Sequence, residues 1–368
     1  MNHPIRVLVV DDSALMRKLI PRMLERDSSI QVADTAMDGA IALAKIEDLK
    51  PDVITLDLEM PRMDGTATLR EITRKHRIPV IVVSAHTTTG ASATFKALAL
   101  GALDFIAKPA DAASAHMDEI AAELIAKIKV AASGKVGAVP AITHMPQAAK
   151  QPRPHTAPTR FVAIGISTGG PNTLQYVLAQ LPAEFPGTIL VVQHMPEGFT
   201  EMFARRLNDT CAIEVKEARS GDLLVAGRVL ICPGNRHLRV RRMPLGPVAV
   251  LSDEDRVSGH RPSVDVLFRS VAQEFGPKAI AVLMTGMGED GADAMGAVKE
   301  AGGLTIAQNA ESCVVFGMPK AAIERGHAAR VLSLDALVNT LQAQCGVVHA
   351  APPEKIAAAA GGVKHVGS

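Results

Sequence analysis

The sequence of 368 residues contains no tryptophan and only one tyrosine. With so few large aromatic side chains, stacking on unpaired nucleic-acid bases is not an expected activity. An excess of one charge is lacking as well, since 39 lysines and arginines balance 38 aspartates and glutamates. The resulting net charge of +1 provides no basic surface field, and we expect no nucleic-acid partner.

Cysteine is scarce, and long apolar runs are absent. The cysteines at 211, 232, 313 and 345 form no C-x-x-C pair, and we expect buried free thiols in a reducing compartment. No apolar stretch approaches the ~20 residues that cross a bilayer, and the N-terminus lacks the features of a secretory signal. We therefore expect a cytoplasmic protein that does not insert into membranes.

Strand-like and helix-like segments alternate in two parts of the chain, which a proline-rich stretch separates. Continuous apolar runs between helical segments predict parallel sheets with helices on both faces. We predict an α/β protein with a five-stranded doubly wound domain, then a second doubly wound parallel-sheet domain with a β-hairpin insert near 212–252. The predicted divisions are a first domain over 1–130, a flexible linker over 131–159, a second domain over 160–346 and a disordered tail over 347–368.

Polar side chains follow the predicted strands of the first domain. Asp11 and Asp12 end the first strand, Asp57 the third, Ser84 the fourth and Lys108 the fifth. Because function in parallel sheets gathers at the carboxyl ends of strands, we expect these side chains to converge. Crowded carboxylates need a neutralising cation, and Mg²⁺ suits such oxygen ligands. A carboxylate beside a metal and a lysine can attack a phosphoryl group and form an aspartyl phosphate.

This half resembles the receiver domain of bacterial response regulators. The resemblance rests on Asp-Asp-Ser at 11–13, Asp57, Met60-Pro61, Asp64-Gly65, Ser84-Ala85 and Lys108-Pro109. It implies that Asp57 accepts the phosphoryl group. The implied ligands of Mg²⁺ are Asp11, Asp12, Asp57 and the backbone carbonyl of Glu59. The implied switch group consists of Ser84, Phe105 and Lys108.

The second half offers a candidate nucleophile. Gly165–Gly170 follows a short apolar strand, contains the G-x-S-x-G pattern around Ser167, and leads into Pro171 at the start of a helix. A nucleophilic serine needs a base, and the base needs an orienting carboxylate. His194 ends the next strand, and Asp290 lies in a glycine-rich loop after a later one. Three strand ends of one sheet thus supply Ser, His and Asp.

The residues alone leave a second histidine open as the base. His327 would give the chain order Ser167, Asp290, His327, which α/β-hydrolases use. It follows Gly326 at the end of a predicted helix, where a histidine is often only a cap. A dinucleotide-binding interpretation of the glycine-rich turn fails, because Ser167 replaces the second glycine of G-x-G-x-x-G.

Residues 161 to about 345 resemble the catalytic domain of the chemotaxis protein-glutamate methylesterases. The matching stretches are 165–170, 193–196 with 198–199, 260–265, 285–292, and 306–309 with 313–319. The resemblance implies Ser167 as nucleophile, His194 as general base and Asp290 as orienting carboxylate. The backbone N–H of Met287 would serve in the oxyanion hole, with Thr168 nearby.

Together the two resemblances imply a phosphorylation-activated serine hydrolase that demethylates glutamate methyl esters and deamidates glutamines on chemoreceptors, giving adaptation in bacterial chemotaxis. The implied partners are methyl-accepting chemoreceptors as substrate and a chemotaxis histidine kinase as phosphoryl donor. We expect a monomer, Mg²⁺ in the receiver and no cofactor for the esterase. The alternative is a response regulator whose second domain acts as a protein-binding module. A DNA-binding regulator is disfavoured, because no helix-turn-helix follows the receiver.

Two further hypotheses concern surfaces. The basic residues Arg236, His237, Arg239, Arg241 and Arg242 follow a turn in the insert. They form either a solvated hairpin or a patch that steers an acidic receptor surface. The order of the domains suggests, in addition, that the unphosphorylated receiver covers Ser167 and that phosphorylation favours an open form.

Overall fold

The computed structural model describes residues 3–85, 87–108, 117–133 and 156–347. Most of the linker predicted over 131–159, and almost all of the tail predicted over 347–368, lies outside these residues, so both assignments stay predictions. Among the described helices, none combines the length and the apolar character needed to cross a bilayer.

The first sheet has five strands and is flanked by helices. Its strands are β1 (Ile5–Val10), β2 (Ile30–Ala36), β3 (Val53–Asp57), β4 (Val80–Ser84) and β5 (Asp104–Ala107). The helices are α1 (Met16–Leu24), α2 (Gly39–Leu49), α3 (Gly65–Lys75), α4 (Thr88–Ala99) and α5 (Met117–Ala132). All pairings are parallel, in the order β2-β1-β3-β4-β5. Every residue of β3 and β4 is buried, as expected where helices cover both faces. The predicted five-stranded doubly wound domain is confirmed.

The second part of the chain adds nine strands and six helices to the described structure. The strands are β6 (Phe161–Ile166), β7 (Thr188–Gln193), β8 (Glu214–Glu217), β9 (Arg228–Ile231), β10 (His237–Met243), β11 (Gly246–Ser252), β12 (Ala279–Leu283), β13 (Leu304–Gln308) and β14 (Arg330–Leu332). The helices are α6 (Gly170–Ala179), α7 (Phe199–Thr210), α8 (Val264–Phe275), α9 (Ala292–Glu300), α10 (Met318–Glu324) and α11 (Leu334–Cys345).

Seven of these strands form one parallel sheet in the order β14-β13-β12-β6-β7-β9-β8. The strands β7, β9 and β8 lie on one side of β6, and β12, β13 and β14 lie on the other side. This change of side makes the carboxyl ends of β6 and β12 a topological switch point, where α/β proteins bind ligands. The predicted doubly wound class is confirmed.

The insert is smaller than the sequence suggested. Within the predicted 212–252 region, β8 and β9 join the edge of the main sheet in parallel. Only β10 and β11 form a separate antiparallel hairpin. The two edge strands are four residues long and partly exposed in places, so their apolar pattern is too short to mark them as members of the main sheet.

Stacked aromatic side chains form a contact between the first and the second domain. Phe95 of α4 stacks on Phe203 of α7, with ring centroids 5.4 Å apart and planes at 17°. Phe105 of β5 stacks on Phe199 at the start of α7, at 4.9 Å and 28°. All four rings are buried, and one hydrophobic cluster contains residues of both domains.

Polar contacts flank these stacks. The Asn172 side chain of α6 donates to the Leu98 carbonyl of α4 at 2.8 Å. On α5, Glu119 forms an ion pair with Arg256 at 3.0 Å. The first domain therefore contacts the second through α4, β5 and α5.

Candidate active site and phosphorylation site

Ser167 lies on the turn between β6 and α6, at the switch point. Its N–H donates to the Thr285 carbonyl at 2.9 Å, and its own carbonyl accepts from Gly170 N–H at 2.8 Å. Gly286 packs directly against this turn, because a Cβ added there would lie 2.8 Å from Ser167 Cβ. The close approach explains why position 286 carries no side chain. Gly169 has φ of +73°, which a glycine adopts without strain.

His194 follows β7, and its backbone N–H donates to the Ile166 carbonyl at 3.1 Å. On the side chain, Nε2 lies 2.8 Å from Oδ2 of Asp290. The Asp290 side chain is buried in the loop between β12 and α9. With Nε2 facing a carboxylate, the tautomer that fits carries its proton on Nε2 and leaves Nδ1 as the acceptor.

The Asp290 carboxylate is also held by the start of α8. It accepts from the Ser263 hydroxyl at 2.8 Å and from the N–H groups of Val264 and Asp265 at 2.7 and 3.1 Å. Burial raises the pKa of Asp290, but the bonds from His194, Val264 and Ser263 outweigh it and hold that pKa below its usual value. The carboxylate is therefore ionised at neutral pH, next to the ring that it orients.

Gln193 links the serine turn to the histidine, a role that sequence reasoning did not assign. Its buried Nε2 donates to the carbonyls of Ser167 at 3.0 Å and His194 at 3.2 Å. Among the described residues, no hydrogen bond joins Ser167 Oγ to His194, and the buried Nδ1 of His194 has no partner. Catalytic hydrogen bonds often tighten only when substrate is bound. The signal available in the sequence was a glutamine that ends an apolar run just before His194, because an amide in a buried strand needs hydrogen-bond partners.

The structure places His327 away from this pair. Its Nδ1 lies 2.8 Å from the Ala292 carbonyl, and its ring packs against Gly296 of α9. Asp290 therefore meets His194 and not His327. The chain order with His327 as base does not fit this arrangement.

Two backbone donors lie at the serine turn or beside it, because Thr168 follows Ser167 and Met287 follows Gly286, which packs against Ser167. The N–H groups of Thr168 and Met287 lie outside helices and strands, and within the described part of the chain neither has an acceptor. The Ser167 carbonyl, which shares its peptide group with the Thr168 N–H, accepts from Gln193 Nε2 at 3.0 Å and from Gly170 N–H at 2.8 Å, and these bonds fix the orientation of that peptide. Two uncommitted N–H groups beside a serine suit the oxyanion of an acyl-transfer intermediate. Their assignment to an oxyanion hole stays a prediction.

The first domain gathers its carboxylates as expected. Single oxygens of Asp11, Asp12 and Asp57 all lie within 4.8 Å of one another. Lys108 Nζ lies 2.7 Å from Asp57 Oδ2 and 2.9 Å from Asp11 Oδ2. Burial raises the pKa of Asp57, and the bond from Lys108 opposes that rise. Three hard oxygen ligands with one lysine between them fit a divalent ion such as Mg²⁺. Glu59 N–H donates to Asp57 Oδ1 at 3.2 Å, while its role as a carbonyl ligand stays a prediction.

The predicted switch residues occupy two environments. Ser84 is buried, accepts from Thr94 Oγ1 at 2.7 Å and donates to the Gly90 carbonyl at 3.2 Å. Phe105 lies at the domain contact, and Lys127 Nζ lies 5.6 Å from its ring centroid. The same Nζ donates to the Phe105 carbonyl at 2.6 Å. The sequence did not reveal that this ring stacks on the second domain.

The hypothesis of a five-residue basic patch is wrong for His237. This ring is fully buried at the base of the hairpin, with Nε2 3.0 Å from the Asp255 carbonyl. Its Nδ1 accepts from Ser263 N–H at 3.2 Å. His237 therefore supports the segment that holds Asp290 rather than contributing surface charge.

Two of the arginines in that patch are paired. Arg236 meets Asp253 at 3.2 Å, and Arg239 forms an ion pair with Glu254. Local carboxylates thus neutralise half of the guanidinium groups. Exposed Arg241 and Arg242 are the members left for steering a partner, and that role stays a prediction.

Comparison with known proteins identifies the family of both halves of the chain. A family model described as response regulator receiver domain matches residues 7–118, and one described as CheB methylesterase matches residues 162–341. A protein of Koribacter versatilis named protein-glutamate methylesterase/protein-glutamine glutaminase 2 is 65% identical over 350 residues, covering 93% of this chain and 96% of the relative. A protein-glutamate methylesterase/protein-glutamine glutaminase of Symbiobacterium thermophilum is 46% identical over 359 residues, covering 94% of this chain and 98% of that relative.

Solved structures of single domains match each half. The CheB methylesterase catalytic domain of Thermotoga maritima is 43% identical, with a TM-score of 0.49 and coverage of 50% of this chain and 96% of that domain. Identity of 65% over nearly the whole of both chains identifies the family. The chain belongs to the protein-glutamate methylesterase/protein-glutamine glutaminases of the CheB type, with a response-regulator receiver domain at the N-terminus.

Proposed function

We propose that this protein demethylates glutamate methyl esters and deamidates glutamines on bacterial chemoreceptors, and that phosphorylation of Asp57 activates it. The observation that carries the proposal is the His194–Asp290 pair at 2.8 Å beside the Ser167 turn, at the switch point of the sheet. A relative at 65% identity is named protein-glutamate methylesterase/protein-glutamine glutaminase 2, and this name supports the two reactions.

In the first step, Ser167 Oγ attacks the side-chain carbonyl carbon while Nδ1 of His194 accepts the hydroxyl proton. The imidazolium that forms keeps its Nε2–H on Asp290, whose charge stabilises it. The negative charge that develops on the carbonyl oxygen is held by the N–H groups of Thr168 and Met287. Such donors typically contribute roughly 2.7–4 kcal/mol each to the transition state.

In the second step, the tetrahedral intermediate collapses and the C–O bond to the methoxy group breaks. Methanol leaves with the proton that His194 returns from Nδ1. Water then attacks the acyl-enzyme ester, again with His194 as base, and releases glutamate and Ser167. With glutamine the leaving group is ammonia and the steps are otherwise the same.

Activation begins at the carboxylate cluster of the receiver. Asp57 would take the phosphoryl group from the histidine of a kinase, while Lys108 pairs with the negative charge that arrives. Mg²⁺ held by Asp11, Asp12 and Asp57 would neutralise charge between the carboxylates and the phosphoryl oxygens. Phosphorylation adds about −1.5 to −2 charges at this point.

The aromatic stacks supply a route from the receiver to the hydrolase. Phe105 lies close along the chain to Lys108, and Phe199 begins α7 shortly after His194. A repacked Phe105 would weaken the domain contact and open the approach to Ser167. Moving such an equilibrium from 1:99 to 99:1 requires about 5.5 kcal/mol, so a smaller shift with some basal activity is expected.

The decisive measurement is methanol release from a methylated receptor, with and without a small phosphodonor. Ser167→Ala should abolish release in both conditions without lowering the unfolding temperature. Release at the normal rate by a folded Ser167→Ala protein would contradict the mechanism. Tight receptor binding without any release by the wild type would instead favour the protein-binding module.

The contact between the domains has its own test. Phe95→Ala removes one stacked ring on the receiver side and should raise basal methanol release several-fold, because the closed form loses buried contact. Phe275→Ala is the matched control, since its stack with Phe161 lies within the second domain. Basal activity that stays unchanged in Phe95→Ala would contradict inhibition by occlusion.

A further inference from the structure

His260 contacts the catalytic pair but has no part in the mechanism described above. It lies on the segment between β11 and α8. Its ring stacks on that of His194, with centroids 3.9 Å apart and planes only 8° from parallel. Two imidazoles therefore lie face to face beside Asp290.

The stack restrains a motion that Asp290 does not. The His194 ring is hydrogen-bonded through Nε2 alone, because the buried Nδ1 has no partner among the described residues. A ring held through one atom can still tilt about that bond, which would move Nδ1 relative to Ser167. A flat neighbour against its face prevents the tilt.

We propose that His260 is a positioning residue of the hydrolase, whose stacked ring fixes the plane of the His194 imidazole so that Nδ1 stays aimed at the nucleophile. The proposal rests on the hydrolase activity proposed above. The role of His260 depends on the shape of its ring and not on proton transfer. A flat, uncharged ring of similar size should therefore substitute for it.

The backbone around His260 is built to hold a side chain in place. His260 and Val257 exchange two backbone hydrogen bonds, at 2.9 and 3.1 Å. Next in the chain, the Arg261 guanidinium donates twice to Asn235, at 2.8 and 3.1 Å, and once to the Asp253 carbonyl at 3.0 Å. These bonds anchor the backbone on both sides of His260, to Val257 within its own loop and to Asn235 on the turn between β9 and β10.

The same segment also supplies the donors to Asp290. Ser263, Val264 and Asp265 follow His260 and bind that carboxylate. One stretch of chain therefore sets both the carboxylate that orients His194 and the ring that covers its face.

The charge of His260 suits this role. Burial and the neighbouring His194 lower its pKa to about 4, against the opposite influence of Asp290 and Glu123. Arg256 acts in the same direction as burial. At neutral pH the ring is uncharged, so it adds no second positive charge when His194 takes the proton of Ser167.

The test compares His260→Ala and His260→Leu with His260→Phe in the full chain. The first two variants should lower kcat for methanol release by about tenfold or more, with KM within about twofold, because small misplacements of catalytic groups are costly. His260→Phe should restore kcat to within about threefold of the wild type, since it keeps the flat ring. Wild-type kcat in His260→Leu, or a Phe variant as slow as Ala, would overturn the proposal.

A second readout does not depend on turnover. The Nε2 proton of His194, shared with Asp290, should give a downfield proton NMR signal in the wild type and in His260→Phe. In His260→Ala and His260→Leu that signal should broaden or disappear as the ring tilts. A sharp, unshifted signal in all variants would overturn the proposal even if the protein released no methanol, whereas absence of methanol release by the wild type would count against the proposed function alone.

Discussion

Asp57 and Asp290 are both buried carboxylates at the carboxyl-end edge of a parallel sheet, the first as the last residue of β3 and the second in the loop after β12, yet their surroundings differ in kind. Asp57 lies against two other carboxylates, with Lys108 as its counter-charge. Asp290 accepts bonds from Ser263, Val264, Asp265 and His194. Burial accordingly wins at Asp57 and raises its pKa, whereas the bonds win at Asp290 and lower its pKa.

The number of hydrogen-bond donors around each carboxylate thus separates a reactive carboxylate from an orienting one. Asp57 accepts few hydrogen bonds, and in the proposed function a cation and a phosphoryl group change its charge state. Asp290 accepts hydrogen bonds from four residues, so it can stabilise an imidazolium while it stays ionised itself. We call Asp57 the responsive carboxylate, because its charge state can change, and Asp290 the fixed carboxylate, because its charge state stays the same.

The largest expected effect is the loss of the fixed carboxylate. Asp290→Asn should lower kcat for methanol release by about 10⁴-fold, because the histidine loses its orientation and tautomer. His327→Ala is the control, since that ring contacts α9 and not Asp290, and it should keep most of the activity. A larger loss in His327→Ala would show that the wrong histidine has been assigned as the base.

The responsive carboxylate should affect control and not chemistry. Asp57→Ala should keep basal methanol release but lose the increase that a phosphodonor gives. Removing divalent ions with a chelator should have the same result in the wild type, because the carboxylate cluster then lacks its counter-ion. Loss of basal hydrolysis on chelation would contradict the division between the two sites.

Stability should change with opposite sign at the two positions. The folded-state pKa of Asp57 is raised, so its ionised form lowers stability above that pKa, and Asp57→Asn should increase the free energy of unfolding at neutral pH without metal. The folded-state pKa of Asp290 is lowered, so its stabilisation is present above the unfolded value and is lost as the pH falls through the folded one. Asp290→Asn should cost about 2 kcal/mol at neutral pH.

Urea unfolding of the full chain at neutral pH, with a chelator present, measures both changes. The gain from Asp57→Asn should vanish on acidification, when the wild-type carboxylate is itself protonated. Losses of the same sign in both variants would contradict the comparison.

The smallest expected effect lies at the edge of the domain contact. Arg256 and Glu119 are both about half exposed, and ion pairs of this kind contribute roughly 0–1 kcal/mol. Arg256→Ala should therefore raise basal methanol release by less than about fivefold, and added salt should remove most of the difference. An increase larger than that of Phe95→Ala would show that charge, not ring stacking, holds the domains together.

Patterns within single elements made much of this predictable. The apolar runs Asp52–Leu56 and Phe161–Ile164 predicted two of the buried parallel strands, which the structure has as β3 and β6. Within each sheet, the residues that follow such runs were expected to meet at one edge. Asp57 accordingly lies among its carboxylates in the first sheet, and His194 lies next to Asp290 in the second.

Contacts between distant elements could not be predicted in this way. The stack of His260 on His194 and the approach of Gly286 to Ser167 depend on how loops from different strands fold over the edge. His237 was mistaken for a surface charge because its arginine neighbours dominate the local pattern. Only the hairpin's packing on the segment at Ser263 reveals its burial.

The stacked phenylalanines between α4, β5 and α7 have a consequence for temperature. Opening the domains exposes apolar rings to water, and the penalty for exposing apolar surface decreases on cooling. The closed form should therefore loosen in the cold, where the ester chemistry itself slows. In a cold cell the two effects act against each other, and the unphosphorylated enzyme loses less of its output than its chemical step alone would dictate.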